Sequence, residues 1–221
     1  MFIFGLKRLY FLLCAGYMLI CFGVYFFLNR LEYTKHILLS YTNGKNESTH
    51  RTSHPPKYLE VFKDIRRYVL MVTLCYFLVL ATFPGVAVLI PSTSGISPDW
   101  FAIIIIAIFN FADMITKIVA SFKVFLFTPD NVLWAVVLSK LVIQPLFIVF
   151  WKKPLNDYLT FFVVLLSGAT TGFIGSIAMS KGPQECNVKG QTETAGLVMA
   201  VFLILGLALG GSTSLIFTIF T

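Results

Sequence analysis

The chain has 221 residues, of which 57% are hydrophobic and only 12% charged; 23 are Phe, and the formal net charge is +7. Its mean hydropathy is +0.85. A water-soluble domain of this length needs far more charge to cover its surface, so the composition excludes that class and points to a surface that faces lipid. The basic residues stand beside long apolar runs, which ties the positive charge to membrane orientation and not to a nucleic-acid partner. Cys14, Cys21 and Cys75 fall in apolar stretches and Cys186 in a polar one, no C-x-x-C occurs, and His36, His50 and His54 share one loop. That pattern predicts no disulfide framework, no metal site and no cofactor.

An apolar bilayer core of about 30 Å takes roughly 20 helical residues to cross. Six stretches meet that length: 9–28, 68–90, 100–120, 132–151, 158–180 and 194–221. None alternates as a barrel strand does, so helices alone can satisfy their backbones in lipid. The predicted fold is all-α, a polytopic membrane protein with six transmembrane helices. Its expected parts are a first span (1–29), a basic loop (30–67) and a five-helix bundle (68–221). Lys7 and Arg8 precede the first span as in a signal sequence, but the run exceeds a usual h-region and lacks a small-x-small cleavage site, so it reads as a retained span.

Six spans put both termini on one side of the membrane, and Lys/Arg placement chooses the side. The loop 30–67 carries Arg30, Lys35, Lys45, Arg51, Lys57, Lys63, Arg66 and Arg67, and the loops on the same side add Lys117, Lys123, Lys181 and Lys189. Opposite them stand only Lys7, Arg8, Lys152 and Lys153. The positive-inside rule then places the basic loop in the cytoplasm and both termini outside. The sequon Asn46-Glu47-Ser48 faces the cytoplasm in this topology and is expected to stay unmodified.

Within the third span, Asn110, Asp113 and Lys117 recur at a spacing that puts them on one helix face. A carboxylate at membrane depth is costly unless it is paired or meets a water-filled cavity. The face therefore lines a solute pathway, or Asp113 and Lys117 form an ion pair that only fixes packing. Lys140, in the fourth span, lies roughly 13 Å from the same end of its helix, against about 10 Å for Asp113. It is a candidate second ion-pair partner for Asp113, whereas Lys117 is close enough to the edge to snorkel. Pro84, next to Gly85, and Pro145 each remove a helix hydrogen bond and predict bends that suit a gate or plain packing equally. Gly168 with Gly172, and Gly206 with Gly210, are GxxxG pairs that predict close helix contacts. There is no H-E-x-x-H, G-x-S-x-G or P-loop, and no span holds His, so an enzyme is not expected.

Several blocks together resemble one family. Phe109-Asn110-Phe111-Ala112-Asp113, with Lys117 four positions on, resembles the F-N-x-x-D-x-x-G-[RK] signature of the equilibrative nucleoside transporters. Thr82-Phe83-Pro84-Gly85-Val86 resembles their F-P-[GA] break. Glu193-Thr194-Ala195-Gly196 followed by Gly206-Leu207-Ala208-Leu209-Gly210 resembles their final span. The order and spacing agree over nearly the whole chain, which looks like the last six helices of a major-facilitator-like transporter. Departures are Lys117 for the commoner Arg, Thr116 for Gly, and Thr171 for Asn.

The resemblance implies facilitative, equilibrative nucleoside transport by a partial or truncated transporter that supplies the C-terminal half of a solute cavity. Asp113, Lys117 and Asn110 would contact a nucleoside or nucleobase. Besides the lipid bilayer, a second chain supplying the missing helices is the implied partner, and the plasma membrane the implied location. The alternative is a non-transporting membrane interaction subunit or truncated isoform.

Overall fold

The computed structural model describes residues 15–27, 30, 58–188 and 191–219, with the side chains of the last helix described to residue 216. The expectations resting on Lys7, Arg8, Cys14, the histidines, the Asn46 sequon, Lys35, Lys45, Arg51, Lys57 and Lys189 lie outside the described residues. The chain divides into two units, Met1–Pro55 and Pro56–Thr221. In the first, α1 (Ala15–Phe27) is a short apolar helix drawn from the first predicted span. Its Phe22 and Phe26, one turn apart, meet edge to face at 4.8 Å.

The second unit holds α2 (Tyr58–Thr82), a 3-10 turn (Ala87–Leu89), α3 (Pro98–Ala120), α4 (Lys123–Leu126), α5 (Asp130–Lys152), α6 (Asp157–Gln184) and α7 (Thr192–Ile219). Among the described residues five segments are long and apolar enough to cross a membrane, α2 and the 3-10 turn together forming one of them. The protein is a multi-pass helical membrane protein. α2 begins at Tyr58 and not at residue 68, so the end of the predicted basic loop is helical. The reason is amphipathicity: Val61 and Ile65 are buried while Lys63, Asp64, Arg66 and Arg67 face outward, a pattern that apolar run length does not register.

α6 is the central post. It touches α2, α3, α5 and α7, and small residues let them come near. A Cβ on Gly168 would stand 2.5 Å from the Phe109 carbonyl oxygen of α3, and one on Gly172 would collide with the Asp113 carbonyl and Thr116 Oγ1. The other GxxxG pair serves a different contact: Cβ atoms on Gly206 and Gly210 of α7 would each lie 2.6 Å from α2 carbonyls, those of Thr73 and Phe77. Both pairs are thus packing seams.

Two apolar layers fill the unit. One gathers Val61, Ile65, Val72, Leu133, Val137, Ile174 and Ile177. The other gathers Phe83, Phe101, Ile105, Phe109, Phe147 and Val164, with the Phe83 and Phe109 rings stacked at 4.0 Å. Along both α5 and α6, polar residues separate the two layers: Lys140 and Gln144 on one helix, Ser167 and Thr171 on the other.

The loop before α3 is clamped by Asp157 at the start of α6. This carboxylate, 3% exposed, accepts hydrogen bonds from Ser92 Oγ (2.7 Å), Thr93 N and Oγ1 (2.8 Å each) and Ser94 N (3.1 Å). Its charge also sits at the positive end of the helix dipole. Asp157→Ala is expected to destabilise the bundle by about 2–3 kcal/mol, seen as a lower thermal midpoint in detergent micelles. Asp157→Asn, which keeps one acceptor oxygen, should lose less.

Candidate functional site

α3 positions the predicted trio. Its inner face, Phe101, Ile105, Phe109 and Ala112, is buried against its neighbours, which turns Asn110 and Lys117 outward and leaves Asp113 at the edge. Lys117 Nζ donates to Asp113 Oδ2 at 2.6 Å, with the lysine side chain 47% exposed and the aspartate 17%. The Asn110 side chain is exposed on the outer face of α3. Asp113 is therefore divided: Oδ2 is occupied by a cation on the open side, while Oδ1 is buried with no hydrogen-bond partner among the described residues. An unsatisfied carboxylate oxygen in a low-dielectric layer is costly, and a donor that arrives there gains the full benefit of relieving it.

Lys140, the other cation expected beside Asp113, is engaged elsewhere. It is fully buried, and its Nζ donates to the Ser167 carbonyl (3.1 Å) and to Thr171 Oγ1 (2.8 Å), both on α6. The ion pair at Asp113 is the one with Lys117. A lysine reaches either a carboxylate or a nearby carbonyl with the same flexible stem, and helix rise alone cannot distinguish them.

Lys140 opens a ladder that sequence reasoning did not find. Gln144 Nε2 donates to Ser167 Oγ at 2.9 Å, and Gln144 Oε1 accepts from Thr82 Oγ1 at 2.5 Å. Thr82 is the last residue of α2, immediately before the break. Gln144, Ser167 and Thr82 are uncharged, and each is common enough in membrane helices to carry no signal alone; a polar residue one turn from Lys140 was the available clue.

The break itself is where Pro84 and Gly85 placed it. α2 ends at Thr82, the Phe83–Pro84 peptide is cis, and the chain continues as a turn into Ala87–Leu89. Gly85 seats this corner against α7, since a Cβ there would overlap Ser214 Oγ. α5, by contrast, runs unbroken through Pro145.

Tyr76 joins the neighbourhood of the trio from α2. Its hydroxyl occupies the space left by Gly175, one turn along α6 from the Gly172 that receives Asp113. Asp113 thus stands at the rim of a polar layer built by α2, α3, α5 and α6. Among the described residues no group of three His, Cys, Asp or Glu side chains is placed to hold a metal.

The sequence profile of the nucleoside transporters covers residues 42–219. The chain belongs to the nucleoside transporter family. Nucleoside transporter 2 of Crithidia fasciculata is 30% identical over 162 residues, which is 72% of this chain and 31% of that protein. Human equilibrative nucleoside transporter 1 is 28% identical over 195 residues, 79% of the chain and 42% of the human protein. Equilibrative nucleotide transporter 1 of Arabidopsis thaliana is 26% identical, over 68% and 33% respectively. The chain thus spans about a third of the length of the Crithidia fasciculata and Arabidopsis thaliana proteins it matches. The departure from the family signature at Thr116 has a structural reading: its Oγ1 packs against Gly172, so the small partner in this α3–α6 contact is on α6.

Proposed function

We propose that this protein takes part in facilitative nucleoside transport and supplies one half of a solute cavity, with Asp113, Lys117 and Asn110 as the solute-facing trio. The observation that carries the reading is the division of Asp113: one oxygen held by Lys117, the other buried and without a partner among the described residues. A ribose hydroxyl or a base amine can donate to that carboxylate, and Lys117 can donate to a solute oxygen. Asn110, one turn away, offers both an acceptor and donors.

Alternating access rocks one bundle against another about a central site. The outward face of α3 is the wall that a second set of helices would close, whether in a longer polypeptide or in a partner chain. The corner at Pro84 and Gly85 is the proposed gate element, because Thr82 links it directly to the polar layer through Gln144. Lys/Arg placement supports a cytoplasmic position for the helix ends bearing Lys63, Arg66, Arg67 and Lys181, with the plasma membrane as the working location.

Labelled nucleoside uptake into cells expressing the chain, with surface abundance measured, tests the reading. Uptake above background that Asp113→Ala lowers by at least about tenfold is the expected result. Uptake unchanged by Asp113→Ala would remove the trio from the site. Background uptake by the chain, coupled with recovery of a full-length transporter by crosslinking, would favour the interaction-subunit reading.

A further inference from the structure

At the end of the bundle away from Asp157, α2, the start of α5 and the segment after α6 line a cleft of about 270 Å³. Lys63, Arg66 and Arg67 line it together with Asp64, Tyr68, Asp130, Glu185 and Asn187. Its carboxylates are already engaged. Asp64 accepts from the backbone N–H of Asn187 (2.6 Å) and from its side-chain amide (3.2 Å). Asp130 and Glu185 flank the Tyr68 hydroxyl, which lies 2.9 Å from one and 2.5 Å from the other. Both also face the buried Lys181, at 3.3 and 3.7 Å. The three cations of the lining, in contrast, have no carboxylate within ion-pair distance among the described residues, and all three are exposed.

The helix that carries these cations changes character one turn further on. Leu70, spaced three and four residues from Arg67 and Arg66, is 53% exposed on the same face of α2. Cations at the level of the helix ends, followed at once by exposed leucine within the apolar span, match a ligand with an anionic head and a hydrocarbon tail. A free anion would have no use for the second feature.

We propose that this cleft is a binding site for the phosphate-bearing headgroup of an anionic phospholipid, held by Lys63, Arg66 and Arg67, with an acyl chain along Leu70. The site is independent of the transport reading, since none of these residues belongs to the solute-facing trio. The carboxylate–Tyr68–Lys181 network forms its back wall and keeps the acidic groups turned toward their own donors. Bound lipid would bridge α2 to the α6–α7 connection and so stiffen this end of the bundle.

The test uses the purified full chain in phosphatidylcholine nanodiscs, with and without a minority of phosphatidylserine, reading thermal midpoint and lipid retained in native mass spectrometry. A higher midpoint and preferential retention of phosphatidylserine are expected, because a ligand of the native state stabilises it. Lys63→Gln, Arg66→Gln and Arg67→Gln should each weaken retention roughly fivefold, while Lys152→Gln with Lys153→Gln, at the far end of α5, should leave it intact. Arg66→Lys with Arg67→Lys should retain the lipid, which separates loss of charge from loss of fold. Equal retention of both lipids by the unmutated chain would overturn the proposal, as would an equal loss in the Lys152/Lys153 variant. Stabilisation by inorganic phosphate or soluble glycerophosphoserine as strong as that by the lipid would identify a free-anion site and also overturn it.

Discussion

Gly172→Leu is expected to unseat α3 from α6 and to destabilise the bundle by about 3 kcal/mol. The contact admits no side chain: even a Cβ at this position overlaps the Asp113 carbonyl and Thr116 Oγ1. Backbone atoms cannot swing aside as the end of a lysine can, so the whole helix must move. Because the atom displaced is the carbonyl of Asp113 itself, loss of stability and loss of the solute-facing geometry should appear together. Gly196→Ala is the matching control, since nothing lies within 4 Å of a Cβ there. It should be neutral or slightly stabilising, as alanine is the better helix former. Thermal unfolding in micelles checks both, and a Gly172→Leu protein with an unchanged midpoint would contradict the packing.

Thr171→Val is expected to destabilise the protein by about 2–4 kcal/mol, more than removal of the cation by Lys140→Met. Lys140 is fully buried and, among the described residues, holds two acceptors, the Ser167 carbonyl and the Thr171 hydroxyl. Valine is close to threonine in shape but leaves an ammonium short of one partner in a medium where charge is poorly tolerated. Methionine fills much of the same volume and removes the charge together with its demand. The double variant should therefore resemble Lys140→Met alone, giving a coupling energy above about 1 kcal/mol in the double-mutant cycle. Additive losses would show that the two residues act separately and would falsify this account of the ladder.

The sequence was enough for the class of fold, and the reason is local. A run of some 20 apolar residues needs no partner to be recognised as a membrane helix, because the bilayer is the partner. The break at Pro84 was equally legible, since Pro84 and Gly85 end α2 through their own backbone chemistry, whereas Pro145 leaves α5 unbroken. The Asn110–Asp113–Lys117 face followed from helical periodicity, and the Asp113–Lys117 pair from a four-residue spacing on one helix. The start of α2 at Tyr58 was hidden because its first turns are held by one buried face and not by overall hydropathy.

What lay between helices was not legible. Asp113 and Lys140 looked like partners from charge and depth, yet the choice between a carboxylate and a carbonyl depends on rotation of α5 about its axis, which burial of Leu133, Val137 and Phe147 decides. Thr82, Gln144 and Ser167 come from three helices and form one ladder only after packing brings them together. The two GxxxG pairs announced close contacts, but which helix each would receive is a property of the assembled bundle. Sequence alone determined the membrane helices, the break at Pro84 and the polar face of α3, since each arises from residues within a few turns of one another. Tertiary structure alone decided that one oxygen of Asp113 stays unpartnered and that Lys140 is held by α6, since those outcomes depend on distances between helices that no spacing along the chain encodes.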